Sequence, residues 1–409
     1  MLNKTITVIS LNYHPEDTAI GLYSTQMAEH LQSNGWSVTV ITGFPYYPQW
    51  EISSNYKNKN NFLEENIKGI RVLRYKQFVP STPSFINRIF HILDFTFGSY
   101  FNIKKIKKAD VVLSIIPFTS SAWLGNLLSK KLNAKHWIHV QDFEFDVALE
   151  SGITSNSRLN KFFSNTLSKI ERKILNSANI VSTISYGMLD KLNTKSKSRT
   201  YYFPNWIDNN FINPIGANKH PFLLSKKFKV LYAGNIGEKQ DWSLFLQIAK
   251  HFNSHNNIEF IIVGNGSFKN KLIKKTEKLK NVNFHEPVPY KELNDLLCSA
   301  DLHILFQKDD VIDTVMPSKI LGMFASKIPS MITGNSNSEV ANMINSTNIG
   351  YFFKPIDKMS MIKKIKDLIS KNNIQQEIGE NARNYVLNSF SKKVVLNLFN
   401  QKINQLNEN

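Results

Sequence analysis

The sequence predicts an α/β protein of two doubly wound halves, each an open, mostly parallel sheet covered by helices. Three observations lead there. The chain has 409 residues, too many for one ordinary core and enough for two domains of roughly 200 residues each. Short β-branched runs alternate with longer amphipathic stretches, the order that builds parallel strands with crossover helices. That alternation runs twice, and the polar, two-proline stretch FPNWIDNNFINP (residues 203–214) separates the two series as a linker. With 42% hydrophobic and 20% charged residues the composition is globular, not disordered.

In the first half, residues 5–11 read as a buried strand and 22–34 as a helix that Gly35 ends. Further strands are expected at 37–42, 70–75, 110–115, 135–140 and 179–183. The second series has strands at 229–233, 258–263, 282–284, 302–305 and 329–332. Helices near 242–252, 268–280, 290–299 and 319–325 separate them. The expected division is 1–203, 204–385, and a helical segment 386–409 that packs back on the first domain. Open parallel sheets bind ligands beyond the carboxyl ends of their strands, so two facing sheets would place a cleft between domains.

Composition and motifs exclude several classes. Cys298 is the one cysteine, so the chain forms no internal disulfide, in agreement with a reducing compartment. The opening MLNKTITVISLNY lacks a signal-peptide layout. No run of about 18 uncharged apolar residues occurs; 85–103 comes nearest, and Arg88, His91 and Asp94 interrupt it. The expectation is a protein that does not span a membrane. Fifty Lys and Arg against 32 Asp and Glu give a net charge of +18, which attracts polyanions: nucleic acid, anionic lipid or phosphorylated substrates. Lys, Asn and Ile are abundant together, as AT-rich codon usage produces, so charge alone does not choose a partner. No recognition-helix or RNP pattern appears, and nucleic acid is not an expected partner. Nor is a metal: there is no Asp-x-Asp, and the histidines are scattered.

The strongest local signal is KVLYAGNIGEKQDW (229–242). A strand runs into Gly234, Asn235 and Gly237, and a helix follows from about Asp241. Glycines let backbone approach a phosphate, a helix start supplies free N–H groups, and Lys239 adds a cation. The competing account is an ordinary strand-to-helix turn. In NYHPEDTAIGLYS (12–24), Gly21 lies just before a predicted helix whose start can face the same cleft. The motif is not GxGxxG, which disfavours an ordinary dinucleotide site. In HVQDFEFD (139–146), Gln141 and Asp142 stand at the carboxyl end of a strand. Asp142 suits orienting an acceptor hydroxyl or taking its proton, or else it only caps a helix. His139 reads as structural, and His14 lies in the first loop, close to the site.

These stretches, with VTVITGFPYYPQW (38–50), STISYGMLDKL (182–192), FPNWID (203–208) and MPSKILGMFASKIP (316–329), together resemble glycosyltransferase family 4. Within it, they are most similar to bacterial fucosyl- and N-acetylfucosaminyl-type transferases of exopolysaccharide and O-antigen assembly. The resemblance runs in one order from about residue 5 to about 390. It implies a GT-B fold of two Rossmann-like domains, the donor bound mainly by the second and the acceptor by the first. It also implies retention of anomeric configuration and no metal or cofactor beyond the UDP- or GDP-sugar donor. Gly234, Asn235 and Lys239 match the donor-phosphate loop, Pro317, Ser318 and Lys319 match a PSK motif, and Glu339 matches a further acidic position. The family's Glu-x7-Glu pair should fall at Thr314 and Gly322, and neither is acidic.

The function implied is sugar transfer from a nucleoside diphosphate to a lipid-linked saccharide, by an enzyme peripheral at the inner face of the plasma membrane. Gln141, Asp142 and Lys239 are the expected catalytic residues. Gly21, Gly234, Asn235, Gly237, Lys239, Ser318, Lys319 and Glu339 are expected at the donor, with Lys239, Lys319 and helix starts stabilising the leaving diphosphate. A nucleotide-sugar 2-epimerase and a non-catalytic sugar-nucleotide-binding partner are the alternatives. An anionic membrane surface is a further expected partner, because 85–110 joins bulky apolar residues to Lys104, Lys105, Lys107 and Lys108. A core helix with a solvated basic tip explains the same pattern. The lysine-rich stretch 268–280 reads as a solvated helix.

Overall fold

The computed structural model describes residues 4–82, 84–117, 119–143, 158–310, 318–370 and 372–408. The chain forms two compact units, Met1–Pro204 with Leu396–Asn409, and Asn205–Val395. It passes between them at Pro204, inside the expected linker, and returns at Val395, ten residues later than the expected 385.

In the first unit the strands are β1 (Thr5–Ile9), β2 (Ser37–Gly43), β3 (Phe62–Ile67), β4 (Ile70–Tyr75), β5 (Val111–Ile116), β6 (Lys135–Val140), β7 (Ile180–Thr183) and β8 (Arg199–Tyr202). They form one sheet in the order β3-β4-β2-β1-β5-β6-β7-β8. Every pairing is parallel except β3 with β4. β3 was not expected: FLEENI lies at the edge and carries two glutamates. A two-residue turn explains it, since Lys68 and Gly69 both take left-handed φ (53° and 84°) and so match the twist of a tight hairpin. The helices are α1 (Ala19–Ser33), α2 (Ser54–Lys57), α3 (Phe85–Lys104), α4 (Thr119–Leu132), α5 (Arg158–Leu175) and α6 (Tyr186–Lys195). Central β5 is buried along its whole length, as VVLSII requires of a strand covered on both faces.

The second unit holds β9 (Phe228–Ala233), β10 (Ile258–Val263), β11 (Val282–His285), β12 (Leu302–Phe306), β13 (Ser330–Thr333) and β14 (Tyr351–Phe353). Its sheet is fully parallel in the order β11-β10-β9-β12-β13-β14. Its helices are α7 (Trp242–His251), α8 (Lys269–Thr276), α9 (Leu293–Cys298), α10 (Ser318–Ala325), α11 (Glu339–Thr347), α12 (Lys358–Ser370) and α13 (Asn372–Ser389). One apolar core runs through this unit, from Val230 and Phe260 on the strands to Phe245 and Phe324 on the helices.

Helix α14 (Lys392–Glu408) closes the chain. Its Phe399 stacks on Phe203 (4.5 Å) and meets Trp137 edge-on (5.1 Å), while Asn400 accepts from Trp36 Nε1 at 3.3 Å. The first unit therefore includes the end of the chain as part of its packing. No helix among the described residues is long and apolar enough to cross a membrane.

Strand order reverses between β1 and β5 in the first sheet and between β9 and β12 in the second. At such switch points neighbouring loops leave in opposite directions and open a crevice beyond the strand ends. The loops there carry the residues of interest.

Candidate active site

At the switch point of the second unit, two glycine loops interlock. Gly234 N–H donates to Val263 O (2.9 Å) and Ile236 N–H to Asn265 O (2.8 Å), lacing the loop after β9 to the loop after β10. Gly234 takes φ +142°, open to glycine and strained for other residues. Any Cβ on Gly264 would press into the Gly234 carbonyl, and one on Gly266 would sit 2.6 Å from Asn235 Oδ1. Sequence reasoning passed over Gly264 and Gly266, though VGNG at a strand end was the available signal.

Lys319, in the first turn of α10, lies over this corner. Its Nζ donates to Tyr232 Oη (3.0 Å), stands 4.5 Å from the centre of that ring, and would be 3.2 Å from a Cβ on Gly234. Tyr232 is buried and its hydroxyl donates to Asn235 O. Burial keeps the phenol protonated by pushing its pKa well up. Lys319, Tyr232, Gly234 and Asn235 thus form one connected group, in which Lys319 is half-buried. Asn235 is exposed, and its backbone N–H donates to nothing among the described residues. A cation beside a glycine turn with an available N–H can hold an anion.

The other expected donor residues are placed differently. Lys239 is exposed, and its side chain has no hydrogen bond or ion pair among the described residues. Gly237 N–H is taken by Gln240 Oε1 (3.0 Å), and Gly237 O accepts from Trp242 Nε1 (2.8 Å). The start of α7 is already capped: Asp241 accepts from Leu244 N–H at 3.0 Å. That carboxylate uses one free donor expected there and places a negative charge at the helix start, so the anion-holding burden shifts to the lysines. Glu339 opens α11 directly after the cap Ser338, whose Oγ accepts from Ala341 N–H (3.2 Å). A carboxylate in a first helical turn is favourable in itself. Gly322 is buried, and a Cβ there would stand 3.2 Å from Leu297 Cδ1. Thr314, Pro317 and the side chain of Ser318 lie outside the described residues.

In the first unit, Gly21 sits inside α1, not ahead of it, and a Cβ there would meet Glu16 Cβ at 2.7 Å. Its smallness admits the buried Glu16, which organises two loops. Glu16 accepts from Tyr46 and Tyr47 N–H (both 2.9 Å) and from Asn12 Nδ2 (2.9 Å). Desolvation raises the Glu16 pKa despite these donors and the nearby Arg74. Both carboxylate oxygens are engaged, so Glu16 shapes the loops. The same loops line a polar cavity of about 430 Å³ that includes Asp17, Tyr46, Tyr47, Gln49 and Lys57. His14, on the first loop, donates its backbone N–H to Thr25 Oγ1 (2.8 Å), and burial beside Arg74 lowers its ring pKa.

Gln141 and Asp142 follow β6 as expected, but they differ in kind. Gln141 is buried and its Nε2 lies 2.9 Å from His139 Nε2. His139 Nδ1 in turn meets Ser182 Oγ (2.9 Å), which also accepts from Trp137 Nε1 (2.8 Å). This arrangement suits a neutral imidazole with its proton on Nδ1, and burial pushes its pKa down to about 3. Gln141 therefore belongs to the packing beneath the strand end. Asp142 is exposed and accepts from Phe143 N–H at 2.8 Å. Among the described residues no group of His, Cys, Asp and Glu is arranged to hold a metal ion.

Comparison with known proteins now adds to this geometry. The glycosyl transferase 4-like domain matches residues 18–206, and the glycosyl transferases group 1 family matches residues 217–385. The chain is 31% identical, over 96% of its own length and 98% of the relative's, to the putative colanic acid biosynthesis glycosyl transferase WcaI of Escherichia coli. Sucrose-phosphate synthase from Thermosynechococcus elongatus has a similar structure, with a TM-score of 0.75 at 16% identity over 98% of this chain and 99% of that one. Anabaena HepE, solved in complex with UDP, gives 0.66 at 12% identity over 98% and 100%. At such identities these structures speak for the fold alone. Two domain matches in order and a full-length relative go further: the chain belongs to the family 4 glycosyltransferases, enzymes of the GT-B fold.

Proposed function

We propose that this glycosyltransferase moves a sugar of the fucose or N-acetylfucosamine type from a UDP or GDP donor to a lipid-linked saccharide in bacterial surface polysaccharide synthesis, with retention of anomeric configuration. Likeness to a colanic acid transferase supports the pathway class, and the UDP held by HepE supports a nucleotide donor. The observation that carries the reading is the Lys319 ammonium over Gly234 at the switch point of the second sheet. As the bond from sugar to diphosphate breaks, negative charge grows on the leaving phosphate. A fixed cation beside it, with the Asn235 N–H and Lys239 at hand, stabilises that charge without reorganising.

Lys319→Ala should lower kcat/KM for the donor by about 1.5–3 kcal/mol, roughly ten- to a hundred-fold, as expected for a lost charge-assisted phosphate contact. Lys239→Ala should act in the same direction with a smaller loss, because its exposed side chain is less fixed. The fold should survive, since Tyr232 keeps its bond to Asn235 O. Unchanged donor kinetics in folded Lys319→Ala would remove the diphosphate from this corner.

On the acceptor side we assign Asp142 to orienting the acceptor hydroxyl. Asp142→Asn should reduce turnover while thermal stabilisation by UDP or GDP stays as in the parent. Loss of nucleotide stabilisation with normal turnover would reverse the assignment.

A further inference from the structure

Helix α3 is built inside out. Ile86, Phe90, Leu93 and Phe97, spaced to fall on one face, are 63%, 58%, 58% and 63% exposed, and Phe101 continues the row at 40%. Its buried side carries His91, Phe95, Gly98, Ser99 and Asn102. Specific contacts fix this rotation. Gly98 lies directly against the Tyr75 ring, where any Cβ would clash. Asp94 accepts from Tyr75 Oη (3.0 Å) and from Phe78 N–H (2.6 Å), and His91 bonds to Phe78 O. Turning the phenylalanines inward would break all of these.

The exposed row runs about 22 Å along the helix at 1.5 Å per residue. Aromatic rings thicken it at one end, where Phe101 meets Phe97 (5.1 Å), Tyr100 (6.0 Å) and Phe62 (6.2 Å). Cations flank that end. Lys104 lies over Tyr100 and Phe101 (4.5 and 5.2 Å) and Lys105 over Phe62 (5.5 Å), with Lys107 and Lys108 exposed just beyond. Asp94 is the helix's one acidic residue, and its two bonds hold it to Tyr75 and Phe78.

We propose that the outer face of α3 docks on an anionic lipid bilayer, the apolar row entering the headgroup boundary and the four lysines meeting lipid phosphates. An apolar row with a basic end is what such a surface recognises: apolar burial gives depth and charge gives preference. The docked helix also locates a saccharide site. Tyr46 and Trp50, from the loop beside the 430 Å³ cavity, pack on His91 of α3 (4.8 and 5.9 Å), and Arg88 lies over Trp50 (5.3 Å). Docking would hold that cavity close to the headgroups, within reach of a sugar carried on lipid.

The test is co-sedimentation of the full chain with phosphatidylcholine vesicles, with and without phosphatidylglycerol, at low and physiological salt. The parent should bind the anionic vesicles at least about ten-fold better than the neutral ones, and less well as salt rises. Phe90→Gln/Leu93→Gln/Phe97→Gln should weaken binding to anionic vesicles by about ten-fold or more. Lys104→Gln/Lys105→Gln/Lys107→Gln/Lys108→Gln should remove the anionic preference. A parent that stays in solution, or a triple variant that pellets as the parent does, overturns the proposal. So does a parent dimer that the triple variant converts to monomer, because a second copy would then own the face. Stabilisation by UDP or GDP without vesicles should be unchanged in both variants. Its absence in the parent would count against the proposed donor chemistry and leave the docking result standing.

Discussion

Gly264→Ala should destabilise the second unit by about 3–4 kcal/mol and abolish its stabilisation by nucleotide. The new methyl has nowhere to go: its nearest neighbour is the carbonyl oxygen of Gly234, and the carbonyl carbon follows at 3.0 Å. A flexible side chain would move aside, but this neighbour is backbone. It is held on the next strand by Gly234 N–H to Val263 O (2.9 Å). Relieving the clash means parting β9 from β10 beside the corner proposed for the donor, and overpacking of that kind costs a few kcal/mol. Urea unfolding of parent and variant measures the loss, and UDP or GDP titration by thermal shift measures the corner. A variant as stable as the parent would show that the loops are not interlocked. Gly322→Ala is the useful contrast. Its nearest contact is a movable leucine methyl at 3.2 Å, and glycine inside a helix is costly relative to alanine, so its effect should be small or stabilising.

What the sequence makes legible is what local pattern determines. Buried strands such as VVLSII and IEFIIV declare themselves by unbroken apolar runs, and the loop after β9 by glycine and lysine beyond such a run. Long-range contacts leave weaker traces. VGNG looks like any turn, because its need for glycine arises from Gly234, thirty residues earlier. Gln141 lies just past the end of β6, so strand alternation alone did not show that its side chain turns to His139. Asp241 was visible as a helix cap, and a cap implies that part of the expected N–H supply is already used. The outward row of α3 shows in the spacing of Ile86, Phe90, Leu93 and Phe97. Its direction does not, because that depends on Gly98 meeting Tyr75 from another element. The edge strand β3 was missed since its glutamates match those of a solvated loop.

Mild acid should unfold the protein, the first unit before the second. His136, His139 and His303 are buried, and burial holds each near a pKa of about 3 against an ordinary 6.5. Between those values the folded chain keeps them neutral while the unfolded chain protonates them. Unfolding then takes up protons, so stability is full above pH 6.5 and is lost as pH falls toward 3. Each such histidine contributes a slope approaching about 1.4 kcal/mol per pH unit, so the two in the first unit give roughly 3 and the one in the second about 1.4. At roughly 3 kcal/mol per pH unit below 6.5, a stability of about 5–7 kcal/mol, the low end of the usual range, would be used up near pH 4–5. Two of the three lie in the first unit, and burial also lowers His14 and His91 there and His251 and His285 in the second. Glu16 works the other way: its raised pKa lets the folded chain accept a proton as acid is added, which offsets part of the slope. Protonating His139 also sets an N–H against Gln141 Nε2, itself a donor in this arrangement. Trp137 shares Ser182 Oγ with His139, so its fluorescence should report the first transition. His139→Gln removes one titrating group and keeps a polar partner for Ser182, so it should flatten the pH dependence of urea stability in the first unit. Stability constant down to pH 4 would mean that the buried imidazoles are charged or hydrated in the folded chain, and the packing assigned to β6 would be wrong.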